Sequence, residues 1–290
     1  MRLFDPHIHM TSRTTDDYQA MADAGITAIV EPAFWVGQPR NHVGTFEDYF
    51  LSLIGWERFR ASQFGIRHFC TMALNPKEAN NPAVAEGVLS LLPRYLEKDG
   101  VVAVGEIGYD DQTDAEDRIF RRQVELAREY ELPILIHTPH RDKKRGTERT
   151  IALVKDMGFP PELTLIDHNN EETLPLTLES GCWAGHSIYP QTKMDEARMV
   201  TLVKKYGSDR IVVNSAADWG VSDALKVPKT AAALGQAGVS DADIETIVWH
   251  NPVRFFAQSG RLDLEDAPKV DQRQLWEGNS VLRGQQPRVD

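Results

Sequence analysis

The sequence predicts a closed barrel of eight parallel β-strands, each followed by an α-helix. Short apolar runs alternate with helical stretches eight times, at a spacing of roughly thirty residues. The strand-like runs are apolar throughout, which is typical of parallel strands that are covered on both faces. An open doubly wound sheet is the alternative, but no G-x-G-x-x-G motif follows an early strand.

The predicted strands are short runs rich in Val, Ile and Leu, and each lies between turn or helix signals. In the third strand, Asn75-Pro76 ends the run, because proline cannot continue the hydrogen-bonded ladder. The first predicted strand lies within residues 3–10. The other predicted strands span residues 26–31, 66–74, 101–104, 132–136, 163–167, 181–185 and 210–214.

The predicted helices begin and end at recognisable signals. Thr14 opens the first helix as a cap and Gly25 stops it, while Ser240 caps the last helix. The predicted helices span residues 14–24, 45–64, 82–98, 114–131, 145–157, 171–180, 193–206, 224–234 and 240–256.

The composition is that of a globular protein, and the length fits one large α/β domain or two ordinary domains. Residues 1–260 are predicted to form the barrel, and residues 261–290 a polar C-terminal extension. The net charge of −11 disfavours a broad nucleic-acid-binding surface, and no apolar run is long enough to span a membrane. Cys70 and Cys182 imply no disulfide framework, and no signal peptide fits before the first strand, so we expect a cytoplasmic protein.

Candidate metal ligands stand at the predicted strand ends. His7 and His9 end the first strand, and Glu106, His137 and His168 end strands four, five and six. The carboxyl ends of the strands form the active-site face of such barrels, so these side chains should converge. One additional carboxylate, Asp218, follows strand eight.

This ligand set predicts two divalent ions. Four imidazoles and two carboxylates exceed the four ligands of one tetrahedral ion, and imidazole suits zinc and similar cations. Glu106 lies between the histidine pairs in barrel order, which favours it as a bridging carboxylate. Two such ions acidify a shared water and polarise a carbonyl or phosphoryl oxygen. We expect Asp218 to bind one ion and to accept the proton of the attacking water.

At these residues the sequence resembles the TatD-like metal-dependent hydrolases of the amidohydrolase superfamily. The similarity extends over residues 3–257 and includes the D-x-H-x-H start and the segment G-E-I-G-Y-D at 105–110, which matches the TatD box G-E-x-G-x-D. The resemblance implies one metal, zinc or manganese, on His7, His9, Glu106 and Asp218. It implies a second metal on Glu106, His137 and His168.

The sequence departs from the TatD pattern on the side where a substrate would lie. Residues 214–220 read N-S-A-A-D-W-G, where TatD proteins usually have E-T-D-x-P. The segment 33–44 and the C-terminal extension are also atypical. These features resemble a TatD-like type encoded in Ebo gene clusters, which implies a small secondary-metabolite precursor rather than DNA as substrate.

Four further residues are predicted to contact a substrate. His140 belongs to a basic loop after strand five, and His186 follows strand seven. Trp35 and Trp219 lie in loops that should reach the same mouth. The basic loop is either an anion-binding rim or an ordinary solvated loop.

Two functions remain open on the sequence. The first is hydrolysis of an ester, amide or phosphoester bond of a small molecule by a metal-activated water. The second is a metal-binding barrel that binds or carries a small molecule without turnover, since the same ligands would serve both. A phosphotriesterase- or lactonase-like centre is disfavoured, because strand four offers Glu106 and no lysine that could bridge the metals after carboxylation. The oligomeric state is left open.

Overall fold

The structure is a computed structural model that describes residues 1–265, and it confirms the predicted barrel. All eight strands are parallel, and neighbours in the chain are neighbours in the sheet. The strands are β1 (Leu3–Asp5), β2 (Ile26–Glu31), β3 (Arg67–Met72), β4 (Val101–Gly108), β5 (Ile134–His137), β6 (Thr164–Ile166), β7 (Trp183–Ser187) and β8 (Ile211–Asn214).

Helices follow the strands and cover the outside of the barrel. A π-helical turn joins α2 to α3 and another joins α10 to α11, so two helices predicted as continuous are each divided in two. Within residues 1–265, no helix is long and apolar enough to cross a membrane. The helices are α1 (Thr15–Asp23), α2 (Val43–Leu51), α3 (Arg58–Ser62), α4 (Pro82–Leu96), α5 (Asp114–Glu129), α6 (Lys143–Asp156), α7 (Leu174–Glu179), α8 (Glu196–Tyr206), α9 (Lys226–Gln236), α10 (Asp241–Glu245) and α11 (Asn251–Phe256).

The first and last strands meet through the segments that follow them. The backbone amide of Ala216 donates to the carbonyl of His7 at 2.8 Å, and the amide of His9 donates to the carbonyl of Ala217 at 2.9 Å. Strand β1 itself ends at Asp5. The prediction that both histidines lie within the strand is therefore wrong in its boundary, yet this pairing still holds them at the carboxyl end of the barrel.

Aromatic side chains close the opposite end of the barrel. Phe4 of β1 packs against Phe256 of α11, with ring centroids 6.1 Å apart, and Trp183 of β7 packs against Phe255 at 5.9 Å. All four side chains are buried. This end is therefore filled by apolar packing, which leaves the carboxyl end for polar chemistry.

The start of the predicted C-terminal extension lies against the barrel. The guanidinium group of Arg261 donates to the backbone carbonyl of Leu96, and Arg67 at the start of β3 forms an ion pair with Asp263 at 2.6 Å. The predicted boundary after residue 260 therefore stays a prediction. Residues 266–290 of the extension lie outside the described residues.

Candidate metal centre

Five side chains from four strand ends converge at the carboxyl end of the barrel, and all five are buried. Oε1 of Glu106 lies 3.6 Å from Nε2 of His7, 3.4 Å from Nδ1 of His137 and 3.3 Å from Nε2 of His168. The Nε2 atoms of His7 and His9 are 3.0 Å apart, and Nε2 of His168 is 3.1 Å from Nδ1 of His137. Glu106 thus stands between two histidine pairs.

The donor set fits a divalent metal. Ligand atoms of His7, Glu106 and His168 all lie within 4.8 Å of one another. The remaining ring nitrogens of His9 and His137, Nδ1 and Nε2 respectively, are buried without a hydrogen-bond partner among the described residues. Neutral imidazoles and one carboxylate suit zinc and other borderline cations. The nitrogens that face one another are Nε2 of His7 and of His9 in one pair, and Nε2 of His168 and Nδ1 of His137 in the other. A cation between the nitrogens of a pair would bind their lone pairs.

The electrostatics keep the centre ready for a cation. Burial would raise the pKa of Glu106, but the charge of His7 and the neighbouring rings of His137 and His168 hold that pKa well below its usual range. Burial lowers the pKa values of His9 and His168 well below normal. The carboxylate is therefore ionised and these two rings are neutral, which are the states that bind metals.

Asp167, between β6 and His168, is a central residue that the sequence reasoning did not select. Its Oδ2 lies 2.6 Å from Nδ1 of His7, and the side-chain amide of Asn214 donates to both its oxygens at 3.0 Å. Burial opposes ionisation of Asp167, but the neighbouring His168 and the hydrogen bond with His7 lower its pKa strongly. An acidic residue directly before a strand-end histidine was the available sequence signal.

Asp5, the first residue of the D-x-H-x-H motif, binds the backbone next to the centre. Its carboxylate accepts hydrogen bonds from the backbone amides of His7 and Ser215, both at 3.2 Å. Burial raises its pKa to about 7. Because these amides belong to the segments that follow the first and the last strand, Asp5 connects the histidine segment to the loop after β8.

Asp218 does not join the converging side chains. Its Oδ1 accepts hydrogen bonds from the hydroxyl of Tyr189 at 3.0 Å and from the amide of Gly220 at 2.8 Å. It lies in the loop after β8, and three residues separate it from Asn214 at the strand end. The predicted role of Asp218 as a ligand of the first metal therefore stays a prediction.

His186 is also not at the mouth. In β7 the side chain directions alternate, and a Cβ built on Gly185 would point at Asp167 inside the barrel. His186 must therefore point outward, and it is fully buried there. Neither ring nitrogen has a hydrogen-bond partner among the described residues, although the backbone of Ala184 and Val212 lies near. The predicted substrate contact does not fit this orientation.

The other predicted contact residues lie around the centre. Phe34 stacks on the His9 ring with centroids 4.0 Å apart, and it contacts Trp35 at 5.9 Å and Trp219 at 5.6 Å. Both tryptophans therefore flank the first histidine pair and form an aromatic wall. On the opposite side, the exposed His140 lies with its ring centroid 6.2 Å from that of His137.

Comparison with known proteins assigns the family. The family model described as TatD-related DNase matches residues 4–257, which is most of the chain. The chain belongs to the TatD family. The predicted resemblance to these hydrolases is therefore confirmed.

Two curated relatives of this TatD-family protein carry names of the same kind. It is 26% identical over 257 residues to an uncharacterized metal-dependent hydrolase of Methanocaldococcus jannaschii, a match that covers 88% of this chain and 99% of the relative. It is 27% identical over 168 residues to the uncharacterized metal-dependent hydrolase YabD of Bacillus subtilis, covering 54% and 56% respectively. Both names support the enzyme class predicted from the sequence.

Three solved structures have folds similar to that of this TatD-family protein. A TatD-like protein from Archaeoglobus fulgidus superposes with a TM-score of 0.73 at 28% identity, covering 87% of this chain and 99% of that one. The phosphotriesterase homology protein of Escherichia coli, solved with phosphate in its active site, gives 0.64 at 14% identity, covering 88% and 98%. A lactonase from Listeria monocytogenes gives 0.61 at 16% identity, covering 88% and 94%. The last two likenesses concern the fold alone.

Proposed function

We propose that this protein hydrolyses an ester, amide or phosphoester bond of a small anionic molecule with the help of two divalent metal ions. One observation carries the proposal: a single oxygen of Glu106 lies within 3.6 Å of ring nitrogens of His7, His137 and His168. A carboxylate between two histidine pairs is an arrangement suited to bridging two metals.

In this proposal, His7 and His9 would hold one ion, His137 and His168 would hold the other, and Glu106 would serve both. Zinc or manganese are the candidates, because the donors are mostly imidazoles. When bound, the ions supply Lewis acidity, which acidifies a water and polarises the carbonyl or phosphoryl oxygen of the substrate. The buried, prearranged side chains contribute fixed geometry and exclude bulk water around the reacting bond.

Asp218 is the candidate acceptor for the proton of the attacking water. Its Oδ1 is held by Tyr189 and Gly220, whereas Oδ2 has no hydrogen-bond partner among residues 1–265. A carboxylate fixed through one oxygen presents the other in a constant direction, as a general base requires. We therefore assign Asp218 to proton transfer and not to metal binding.

Lys193 in the loop before α8 supports an anionic substrate. Its ammonium lies 5.5 Å from the centroid of the Tyr189 ring, and it makes no hydrogen bond or ion pair with any residue of the described part of the chain. Burial lowers the pKa of Lys193, while the charges of Glu106, Asp167 and Asp218 oppose that effect. An unpaired cation so close to the centre attracts a negatively charged group.

Lys143 supplies a second amino group on the same side, and its positive charge increases as pH falls through about 7. It is half-buried, whereas Lys144 and Arg145 beside it in α6 are exposed. Its ammonium donates to the hydroxyl of Thr138 at 3.1 Å, directly after β5. Burial and the neighbouring Lys193 lower its pKa to about 7. An anion between Lys193 and Lys143 would relieve their mutual repulsion. Of the basic loop, the half-buried Lys143 therefore supports anion binding.

The proposed substrate is a small molecule because these cations are few and lie near the centre. The chain as a whole carries a net charge of −11, which repels an extended polyanion. The family description nevertheless names DNases, so the exclusion of nucleic acid stays a prediction, as does a cytoplasmic location. A short oligonucleotide belongs among the substrates to be tested.

A substrate panel tests the proposal. Protein loaded with zinc or with manganese is assayed on phosphomonoesters, phosphodiesters, a short oligonucleotide, lactones and amides, with metal content measured in parallel. We expect turnover of an anionic member that is lost on chelation and restored by metal. Full metal loading without turnover of any member would favour the carrier function, and absence of metal binding at micromolar concentrations would refute both.

A further inference from the structure

Asp167 is linked to two histidines of the centre by separate routes. Its direct partner is His7, with 2.6 Å between Oδ2 and Nδ1. Its indirect partner is His168, which is reached through the side chains of Asn214 and Ser187. These residues come from the ends of β6, β7 and β8 and the segment after β1. All five are buried.

The direct contact determines which nitrogen of His7 carries a hydrogen. Both oxygens of Asp167 accept hydrogen bonds from the side-chain amide of Asn214, so Asp167 acts as an acceptor and Nδ1 of His7 donates to it. In a neutral ring this leaves the lone pair on Nε2. That nitrogen is the one that faces His9 and Glu106. The contact therefore presents a ligand atom toward the metal position.

The indirect route has the same result at His168. The amide group of Asn214 donates to Asp167, so its Oδ1 is free to accept from the hydroxyl of Ser187 at 2.7 Å. Since the hydroxyl hydrogen is used there, Oγ of Ser187 accepts from Nδ1 of His168 at 2.7 Å. The lone pair of His168 is then on Nε2, which faces His137 and Glu106.

The surrounding backbone is shaped for this carboxylate. A Cβ at Gly185 would lie 2.4 Å from Oδ1 of Asp167, so this position of β7 has no room for a side chain. His168 has a φ of 62°, in the left-handed region, and its amide donates to Oδ1 of Asp167 at 2.6 Å. The carboxylate therefore stabilises the backbone turn that directs the His168 ring inward.

We propose that Asp167 is the positioning residue that sets the tautomers of His7 and His168 together, directly in one case and through Asn214 and Ser187 in the other. The residue at the end of β8 is Asn214, which carries no charge. The buried carboxylate of the network is that of Asp167, directly after β6. The inference rests on the metal-binding part of the proposed function and is independent of whether the protein hydrolyses anything.

The first test reads the tautomers directly. Burial opposes protonation of His7, but the charge of Glu106 and the contact with Asp167 raise its pKa above the ordinary value, so the measurement is made at alkaline pH, where both rings are neutral. Nitrogen-15 NMR of metal-free, histidine-labelled protein then distinguishes a protonated from an unprotonated ring nitrogen. We expect Nδ1–H and bare Nε2 on both His7 and His168 in the wild type. Asp167→Asn removes the carboxylate that holds both rings and should change both signals, whereas Ser187→Ala should change only that of His168.

The second test measures metal affinity by competition with a chelator for zinc. Outer hydrogen-bond partners of metal-ligating histidines contribute ~10–100-fold in affinity. We expect a weakening of that order for Asp167→Asn and a smaller one for Ser187→Ala. Asp111→Asn is the matched control, since it also neutralises a carboxylate, in the loop after β4, but is exposed and lies outside the network.

The outcomes separate clearly. Unchanged ring-nitrogen signals and a zinc affinity within about twofold of wild type in Ser187→Ala and in Asp167→Asn would overturn the inference. Equal weakening by Asp111→Asn would overturn it as well, because charge rather than the network would then matter. If Asp167→Asn fails to fold, Ser187→Ala decides, because it removes one buried hydroxyl and breaks only the route to His168.

Discussion

The carboxylate of Asp167 and the imidazole of His7 are 2.6 Å apart at Nδ1, while Nε2 of the same ring faces Glu106 at 3.6 Å. One nitrogen is thus bound by the protein and the other faces the metal position. The H-x-H motif alone does not contain this information. It depends on a residue that lies 160 positions further along the chain.

Removal of both rings of the first pair should abolish metal binding on that side. For His7→Ala/His9→Ala we expect the loss of about one equivalent of metal, with activity lost too, because two of the nitrogen donors disappear. The measurement is metal content by mass spectrometry, with circular dichroism as the fold control. Retention of two equivalents would contradict the assigned ligands.

Asp218→Asn and Glu106→Gln should separate proton transfer from metal binding. Asp218→Asn is expected to lower kcat by ~10²–10⁴-fold while metal content stays at the wild-type level, because a general base is removed. Glu106→Gln should lower metal content itself. The assignment of Asp218 would be wrong if its variant lost metal as Glu106→Gln does.

Lys193→Met should discriminate between charged and neutral substrates. A hydrogen bond to a charged group contributes about 1.5–3 kcal/mol, so KM for an anionic ester should rise roughly 10–100-fold. KM for a neutral ester should stay near the wild-type value. Lys144→Met, at an exposed position of the same rim, is the control; an equal effect there would point to general surface charge.

His186 should make the protein less stable in acid. Burial lowers its folded-state pKa to about 4, below the ordinary value of 6.5. The unfolded state therefore binds the proton first, and stability is lost as pH falls from about 6.5 to 4, by about 3 kcal/mol. In His186→Met, urea unfolding should show that much less loss over this window. The same pH dependence in the variant would show that other groups are responsible.

The aromatic packing at the closed end should contribute stability without affecting chemistry. Phe256→Ala removes a fully buried ring that stacks on Phe4. We expect a decrease of about 3–5 kcal/mol in the free energy of unfolding. Val221→Ala, at an exposed position, should change it by less than about 0.5 kcal/mol. Metal content of folded Phe256→Ala should equal that of wild type; a loss would show coupling between the two ends.

The sequence predicted the barrel because the observations behind it are local. Apolar runs, caps and proline breaks lie within a few residues of the elements they define, and eight repeats leave few topologies. The same logic found His137 and His168, since a residue at a strand end of this fold faces the mouth. It also found Glu106, for which the TatD box added a second, independent signal.

The tertiary structure decided where the side chains around the candidate ligands lie and in which direction they point. Asp218 is close to β8 in sequence, yet its carboxylate bonds to Tyr189. His186 belongs to β7, but its outward orientation became visible only from Gly185 facing Asp167. Loop direction and strand phase each shift with one residue, so spacing alone does not determine them.

The sequence by itself thus determined the fold, the family and the inner ring of candidate ligands, since each follows from short-range patterns. The tertiary structure alone decided which nitrogen of His7 and which nitrogen of His168 faces the centre. That property depends on hydrogen bonds among Asp167, Ser187 and Asn214, which lie on three different strand ends. Only closure of the barrel brings them within bonding distance.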